Sequence, residues 1–171
     1  TNPRATSDVV EFDLERFGSL DGLSVAHLQC HVGTDTLSLE RLGAASVVGV
    51  DFSPVAIAEA RKLIRRAEAS SRFVEASVYD APQAVGHTVD FVYTSIGAIC
   101  WLHDMDAWAA AVASLLEPGG RFYIRDVHPF LFIFEEVDGK IQPHFPYWYT
   151  PESPLSWDED QTYSDNPEGT A

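Results

Sequence analysis

The residues of this chain whose types and spacing can do chemistry lie at the ends of short apolar runs. Ser46-Val47-Val48-Gly49-Val50 is β-branched and apolar and ends on the charged Asp51, as expected of a central parallel strand with an acceptor at its carboxyl end. A carboxylate there can accept hydrogen bonds from two neighbouring hydroxyls, such as those of a ribose. Phe52 offers a face for packing on a planar base, and the turn Ser77-Val78-Tyr79-Asp80 offers groups to read its edge. Upstream, Gln29-Cys30-His31-Val32-Gly33 closes the run that begins at Ser24. Gly33 lets the backbone approach a ligand at a helix amino terminus, and Gln29 and His31 add side-chain donors to the same loop. Together these residues describe a nucleoside site.

Two histidines are candidates for proton transfer. His103 and His128, with Trp101, fall just beyond the fourth and fifth apolar strands, the edge at which an acceptor would meet a nucleoside in an open sheet. An aromatic rim without a chemical role accounts for them equally well. Cys30 has no base beside it in sequence and reads as a packed, inert thiol rather than a nucleophile. His103, Asp104 and Asp106 stand at a helix start, where such residues serve as caps, so no metal site is expected.

These side chains need a regular alternation of strands and helices to position them. Ser24 to Cys30, Ser46 to Val50, Arg72 to Ala76, Val89 to Thr94 and Arg121 to Val127 read as five strands. Thr34 to Leu42 reads as a helix ended by Gly43. A second starts at Ser53-Pro54 with Ile57, Ala60, Ile64 and Ala67 on one face. A third carries Met105, Trp108, Val112 and Leu115 behind Asp104, and Glu117-Pro118-Gly119-Gly120 stops it. That alternation predicts an α/β fold with a doubly wound, mostly parallel sheet and right-handed crossovers.

Four segments in this order resemble class I S-adenosylmethionine-dependent methyltransferases of the small-molecule type. Ala26 to Gly33 stands where that family has its glycine-rich first motif, and Val48-Gly49-Val50-Asp51-Phe52-Ser53-Pro54-Val55-Ala56-Ile57 is similar to its acidic second motif. Val89-Asp90-Phe91-Val92-Tyr93-Thr94-Ser95 and Leu116-Glu117-Pro118-Gly119-Gly120-Arg121-Phe122 resemble its fourth-strand motif and the turn before its fifth strand. The resemblance spans residues 24 to 127 and implies a Rossmann-like methyltransferase fold with S-adenosyl-L-methionine as cofactor. It implies Gln29, Cys30, His31, Gly33, Asp51, Phe52, Ser77, Val78, Thr94 and Ser95 as cofactor-binding residues, and His103 and His128 as catalytic candidates. The chain departs from the pattern at Gln29 and His31, where the family has glycines, and at His27, where it has an acidic residue. Gln29 and His31 are therefore expected to donate hydrogen bonds to the cofactor's carboxylate in place of a bare backbone nest.

Near His128 the composition changes to a tail rich in aromatics and proline, which divides the chain into a cofactor-binding core, 1–127, and an extension, 128–171. Asp138-Gly139 between apolar stretches predicts a two-stranded ribbon over 131 to 149, serving as a substrate lid or the arm of a homodimer. After residue 150 no counterpart is legible of the helix and antiparallel strand pair that normally end this fold, so the sheet edge is expected to be truncated or covered differently. Neither end of the sequence is assumed to be natural.

Composition limits the partners. A chain of 171 residues, 46% apolar, can bury one sizeable core. A net charge of −15 repels nucleic acid and anionic membranes, which leaves a small-molecule methyl acceptor as the expected partner. Two cysteines form no disulfide framework, and there is no leader or spanning run, so a cytoplasmic location is expected. Two other functions share the fold: a nicotinamide-dependent oxidoreductase, for which the G-x-G-x-x-G loop is missing, and a non-catalytic S-adenosylmethionine-binding protein.

Overall fold

The computed structural model describes residues 5–148, which fall into two compact units divided between Val127 and His128. The first unit is a five-stranded parallel sheet in the order β3-β2-β1-β4-β5, where β1 is Ser24–Leu28, β2 Ser46–Asp51, β3 Arg72–Glu75, β4 Val89–Thr94 and β5 Leu116–Ile124. Strand order reverses between β1 and β4, so the carboxyl ends of these two strands flank the crevice in which such sheets bind ligands. This is the doubly wound, Rossmann-like architecture that the alternation of elements predicts.

Local chemistry sets the helices. Helix α1, Asp8–Phe17, is capped by Ser7, whose hydroxyl accepts from the Val10 amide, and it buries Val10 and Phe17. Helix α2, Thr34–Arg41, starts at the left-handed Gly33, and α3, Pro54–Ala67, starts with Pro54 behind the Ser53 cap. A short α4, Ala81–Val85, follows a 3₁₀ turn at Val78–Asp80. In α5, Met105–Leu115, Asp104 caps the Ala107 amide at 2.8 Å.

The core forms on both faces of the sheet. Ala26, Leu28, Val48, Val50 and Val92 pack with Ala81, Trp108, Val112 and Leu115 on one side. Val25, Val47, Phe91 and Tyr93 pack with Val10, Phe17 and Leu39, while Phe73 and Cys30 join Leu37, Ile57, Ala60 and Ile64. Strands buried on both faces read as continuous apolar runs, which is why β1, β2 and β4 are legible without alternation.

Strands β1, β3 and β5 differ from expectation, β3 only by stopping at Glu75 rather than Ala76. Strand β1 ends at Leu28 rather than Cys30, because Gln29 turns to φ +56°. Strand β5 begins at Leu116 and ends at Ile124. Its register with β4 jumps from Val89↔Leu116 to Phe91↔Arg121, so residues 117–120 loop out of the ladder. The Pro-Gly-Gly sequence suits that excursion: a Cβ at Gly120 would lie 2.9 Å from the Glu117 carbonyl oxygen and 3.2 Å from that of Asp90.

In the second unit, residues Pro129–Ile133 form a 3₁₀ turn and only β6, Phe134–Val137, and β7, Lys140–Pro143, form the antiparallel ribbon, shorter than the expected 131 to 149. Asp138 and Gly139 both adopt positive φ, as a two-residue hairpin turn of the primed type requires. Phe130, Leu131, Phe132 and Trp148 are exposed. The expectations for the chain after Trp148 lie outside the described residues. Among the described residues no helix is long and apolar enough to cross a membrane.

Candidate functional site

Asp51 closes β2 and is buried. Its Oδ2 accepts the His31 amide at 2.8 Å and its Oδ1 the Ser53 amide at 2.9 Å. Each oxygen keeps a lone-pair direction for a further donor, so a backbone-pinned carboxylate faces the carboxyl ends of the sheet. Phe52, beside it, is 76% exposed, an apolar ring held in water unless a ligand covers it.

The loop after β1 has an unusual backbone for its sequence. Gln29, His31 and Gly33 have φ of +56°, +48° and +79°, so the two side chains ride on left-handed positions that favour glycine. Gln29 uses one of its two amide hydrogens inside the protein: Nε2 donates to the Ala98 carbonyl at 2.8 Å, across the crevice in the loop after β4, and keeps a second. That contact fixes the amide's orientation and leaves one Nε2 hydrogen for the ligand carboxylate that the loop is expected to meet. The His31 backbone is committed to Asp51 and its ring is exposed.

Two other expected residues serve packing. The Cys30 thiol is buried among Leu37, Ile57 and Phe73, where burial and the Asp51 charge push its pKa up. Only its backbone remains for a ligand. Gly33 is required by Phe73, whose Cζ would lie 2.5 Å from a Cβ built there, so its smallness serves helix-to-strand packing.

The loops after β3, β4 and β5 form the other wall. Ser77 starts the turn after β3 by accepting the Tyr79 amide, while Val78 belongs to the core. The Tyr79 hydroxyl accepts the amides of His103 and Asp104, each at 3.2 Å, and lies 3.3 Å from His103 Nδ1. With its lone pairs taken, its proton points to Nδ1, and a neutral His103 then carries its own hydrogen on Nε2. Thr94 is fully buried at the end of β4, and the Ser95 hydroxyl lies 3.5 Å from His27 Nε2. His128 belongs to the second unit, where its Nδ1 accepts the Phe130 amide and starts a 3₁₀ turn.

Three further residues, none of them among the expected cofactor or catalytic positions, shape the site. Asp126, just past β5, accepts the amides of Gly97 and Ile99 at 2.9 and 3.0 Å and so braces the loop after β4. His27, buried in β1, lies 2.8 Å from the Thr36 hydroxyl, and burial pulls its pKa down to about 4 against the opposing charges of Asp35 and Asp51. Asp13 of α1 is buried beneath the same end of the sheet. It accepts from the Tyr93 and Tyr123 hydroxyls at 2.8 and 2.9 Å and pairs with Arg125. An acidic residue six positions after the Pro-Gly-Gly turn, as Asp126 is, was the available signal for the brace. The ties of Asp13 join residues far apart in sequence and leave no local pattern.

Comparison with known proteins agrees with this geometry. Residues 25–120 match the family of methyltransferase domains. The ribosomal protein L11 methyltransferase of Xanthomonas campestris pv. campestris (strain 8004) is 31% identical over 110 residues, covering 64% of this chain and 34% of that protein. The chain thus spans about a third of the length of that curated relative. The glycopeptide N-methyltransferase MtfA, solved with S-adenosyl-L-methionine, is 28% identical with a TM-score of 0.56, covering 72% of this chain and 58% of its own. An S-adenosylmethionine-dependent methyltransferase from Mesorhizobium loti shares the fold at a TM-score of 0.62 and 23% identity, covering 76% and 60%. The chain belongs to the class I S-adenosylmethionine-dependent methyltransferase family.

The residues present fit that family's cofactor. Asp51 supplies paired acceptors for vicinal hydroxyls, and Phe52 an uncovered ring for the base. At the crevice, Gln29 Oε1 and Thr94 Oγ1 are buried oxygens without a hydrogen-bond partner among the described residues.

Proposed function

We propose that this chain carries the cofactor-binding part of an S-adenosyl-L-methionine-dependent methyltransferase whose acceptor is a small molecule. The observation that carries the reading is the pinned Asp51 carboxylate beside exposed Phe52, inside the segment that matches the family. When bound, the cofactor supplies an activated methyl group, which the acceptor takes by in-line displacement. The protein's own tasks are to bind, to align and to exclude water.

Asp51 holds the ribose, Phe52 covers one face of the base, and the Ser77 turn borders its edge. The brace from Asp126 to Gly97 and Ile99 fixes the loop that carries the crevice past β4. His103, oriented by Tyr79, stands at the acceptor side as a hydrogen-bonding group or as a base after exchanging its proton. Turnover that survives in both His103→Ala and His128→Ala removes base catalysis from the proposal. The exposed aromatics of the second unit support a role as lid or dimer arm, which sedimentation separates: a dimer that dissociates in Trp148→Ala identifies the arm.

Calorimetric titration with S-adenosylmethionine, S-adenosylhomocysteine and NAD, on the native chain and on Asp51→Ala, tests the core of the reading. The first two should bind, and the variant should lose roughly 100-fold in affinity with its two charge-assisted hydrogen bonds. Binding of NAD in place of both would overturn the proposal.

A further inference from the structure

We infer that Gln29 Oε1 receives the ammonium group of the cofactor's amino-acid tail, an assignment that rests on the cofactor reading above. The side-chain amide has two ends, and the structure spends one of them. Nε2 donates to the Ala98 carbonyl at 2.8 Å, and turning the amide over would set two oxygens against each other. Oε1 is therefore fixed as the opposite end by chemistry as well as by geometry. It is shielded from solvent and has no hydrogen-bond partner among the described residues.

The carbonyl that holds Nε2 is itself aimed. The amides on either side of Ala98, those of Gly97 and Ile99, are anchored on Asp126, and the Ala98 oxygen accepts Gln29 Nε2 at 2.8 Å beside a longer bond of 3.5 Å from the Trp101 amide. Asp126 thus positions Gln29 through the loop after β4, and the side chain cannot swing Oε1 out to water without giving up its bond to Ala98. Thr94, opposite Leu28 in the β1–β4 register, adds a second buried oxygen without a partner at the same crevice. A buried acceptor without a donor is costly, so the crevice lacks a donor rather than an acceptor.

That adds an acceptor to the donors expected of the loop. At Oε1 a ligand carboxylate would set oxygen against oxygen, whereas an ammonium brings up to three donors and the favourable sign of charge. Gln29 is on this reading a specificity-determining residue: it distinguishes nucleosides that carry an amine on the tail from those that do not.

The test compares three thioether ligands by calorimetry: S-adenosylhomocysteine, its decarboxylated form, which keeps the amine, and 5′-methylthioadenosine, which has neither group. Gln29→Ala keeps a non-glycine residue at φ +56° and so leaves the backbone cost unchanged; Gln29→Met, which keeps the bulk, guards against collapse of the loop, and melting curves verify folding. Both variants should weaken the two amine-bearing ligands about tenfold or more and leave methylthioadenosine unchanged. An equal loss for all three, a loss for S-adenosylhomocysteine alone, or no loss would each overturn the assignment. A native chain that binds none of the three would instead overturn the cofactor reading on which it rests.

Discussion

His27 shows how much a single buried side chain can impose on the molecule. Its ring sits in β1 between the Thr36 and Ser95 hydroxyls, and in the folded chain it stays neutral until the pH falls to about 4. The unfolded chain takes up the same proton near 6.5, so between those values the unfolded state binds more protons and folding stability drops as the pH falls. Across the whole window the loss is about 3 kcal/mol. Urea unfolding at pH 7 and pH 5 should show His27→Gln losing about 2 kcal/mol less than the native chain; parallel losses would assign the acid sensitivity to other groups. Single residues were legible in the sequence where their role follows from a strand end, as for Asp51, Phe52 and the Ser53 cap. They were incompletely legible where the partner is remote. Nothing around Gln29 indicates that Ala98, 69 positions away, takes one of its amide hydrogens. Nothing around Gly33 shows that Phe73 packs against it.

At the scale of elements, Gly33 and Phe73 join the start of α2 to β3, and Asp13 joins α1 to β4 and β5. Adding a methyl group at Gly33 sets a Cβ within 2.5 Å of the Phe73 ring at a φ of +79°, so Gly33→Ala should cost about 2–4 kcal/mol. Phe73→Leu in the same chain should recover part of that loss, and an additive double variant would show that ring and glycine do not interact. Asp13→Ala leaves Arg125 and two tyrosine hydroxyls without their shared acceptor, and chemical denaturation should register about 3–5 kcal/mol. A change under 1 kcal/mol would mean that water replaces the carboxylate freely. The strands and the helices α2, α3 and α5 could be read because caps, breakers and apolar periodicity are local. Helix α1 offered only Ser7, two acidic residues in its first turn and a short apolar face. Its place depends on a buried charge whose partners lie in other elements.

The whole molecule carries a net charge of −15, so its compact state works against its own repulsion. Raising sodium chloride from about 0.02 to 0.3 M shortens the Debye length and should raise the melting temperature. A fall would show that the ion pairs, Asp13–Arg125 foremost, outweigh the repulsion. The order in which a ribosome delivers the chain gives the Asp13 junction one more meaning. Its partners emerge 80, 110 and 112 residues after it. At the usual pace of synthesis the first helix waits roughly 5–20 s for the last of them. For that interval Val10 and Phe17 have no finished sheet to cover them, and α1 is fastened only after β5 has been made. A chaperone that recognises nascent apolar segments has its opening there, and it closes when Arg125 leaves the exit tunnel.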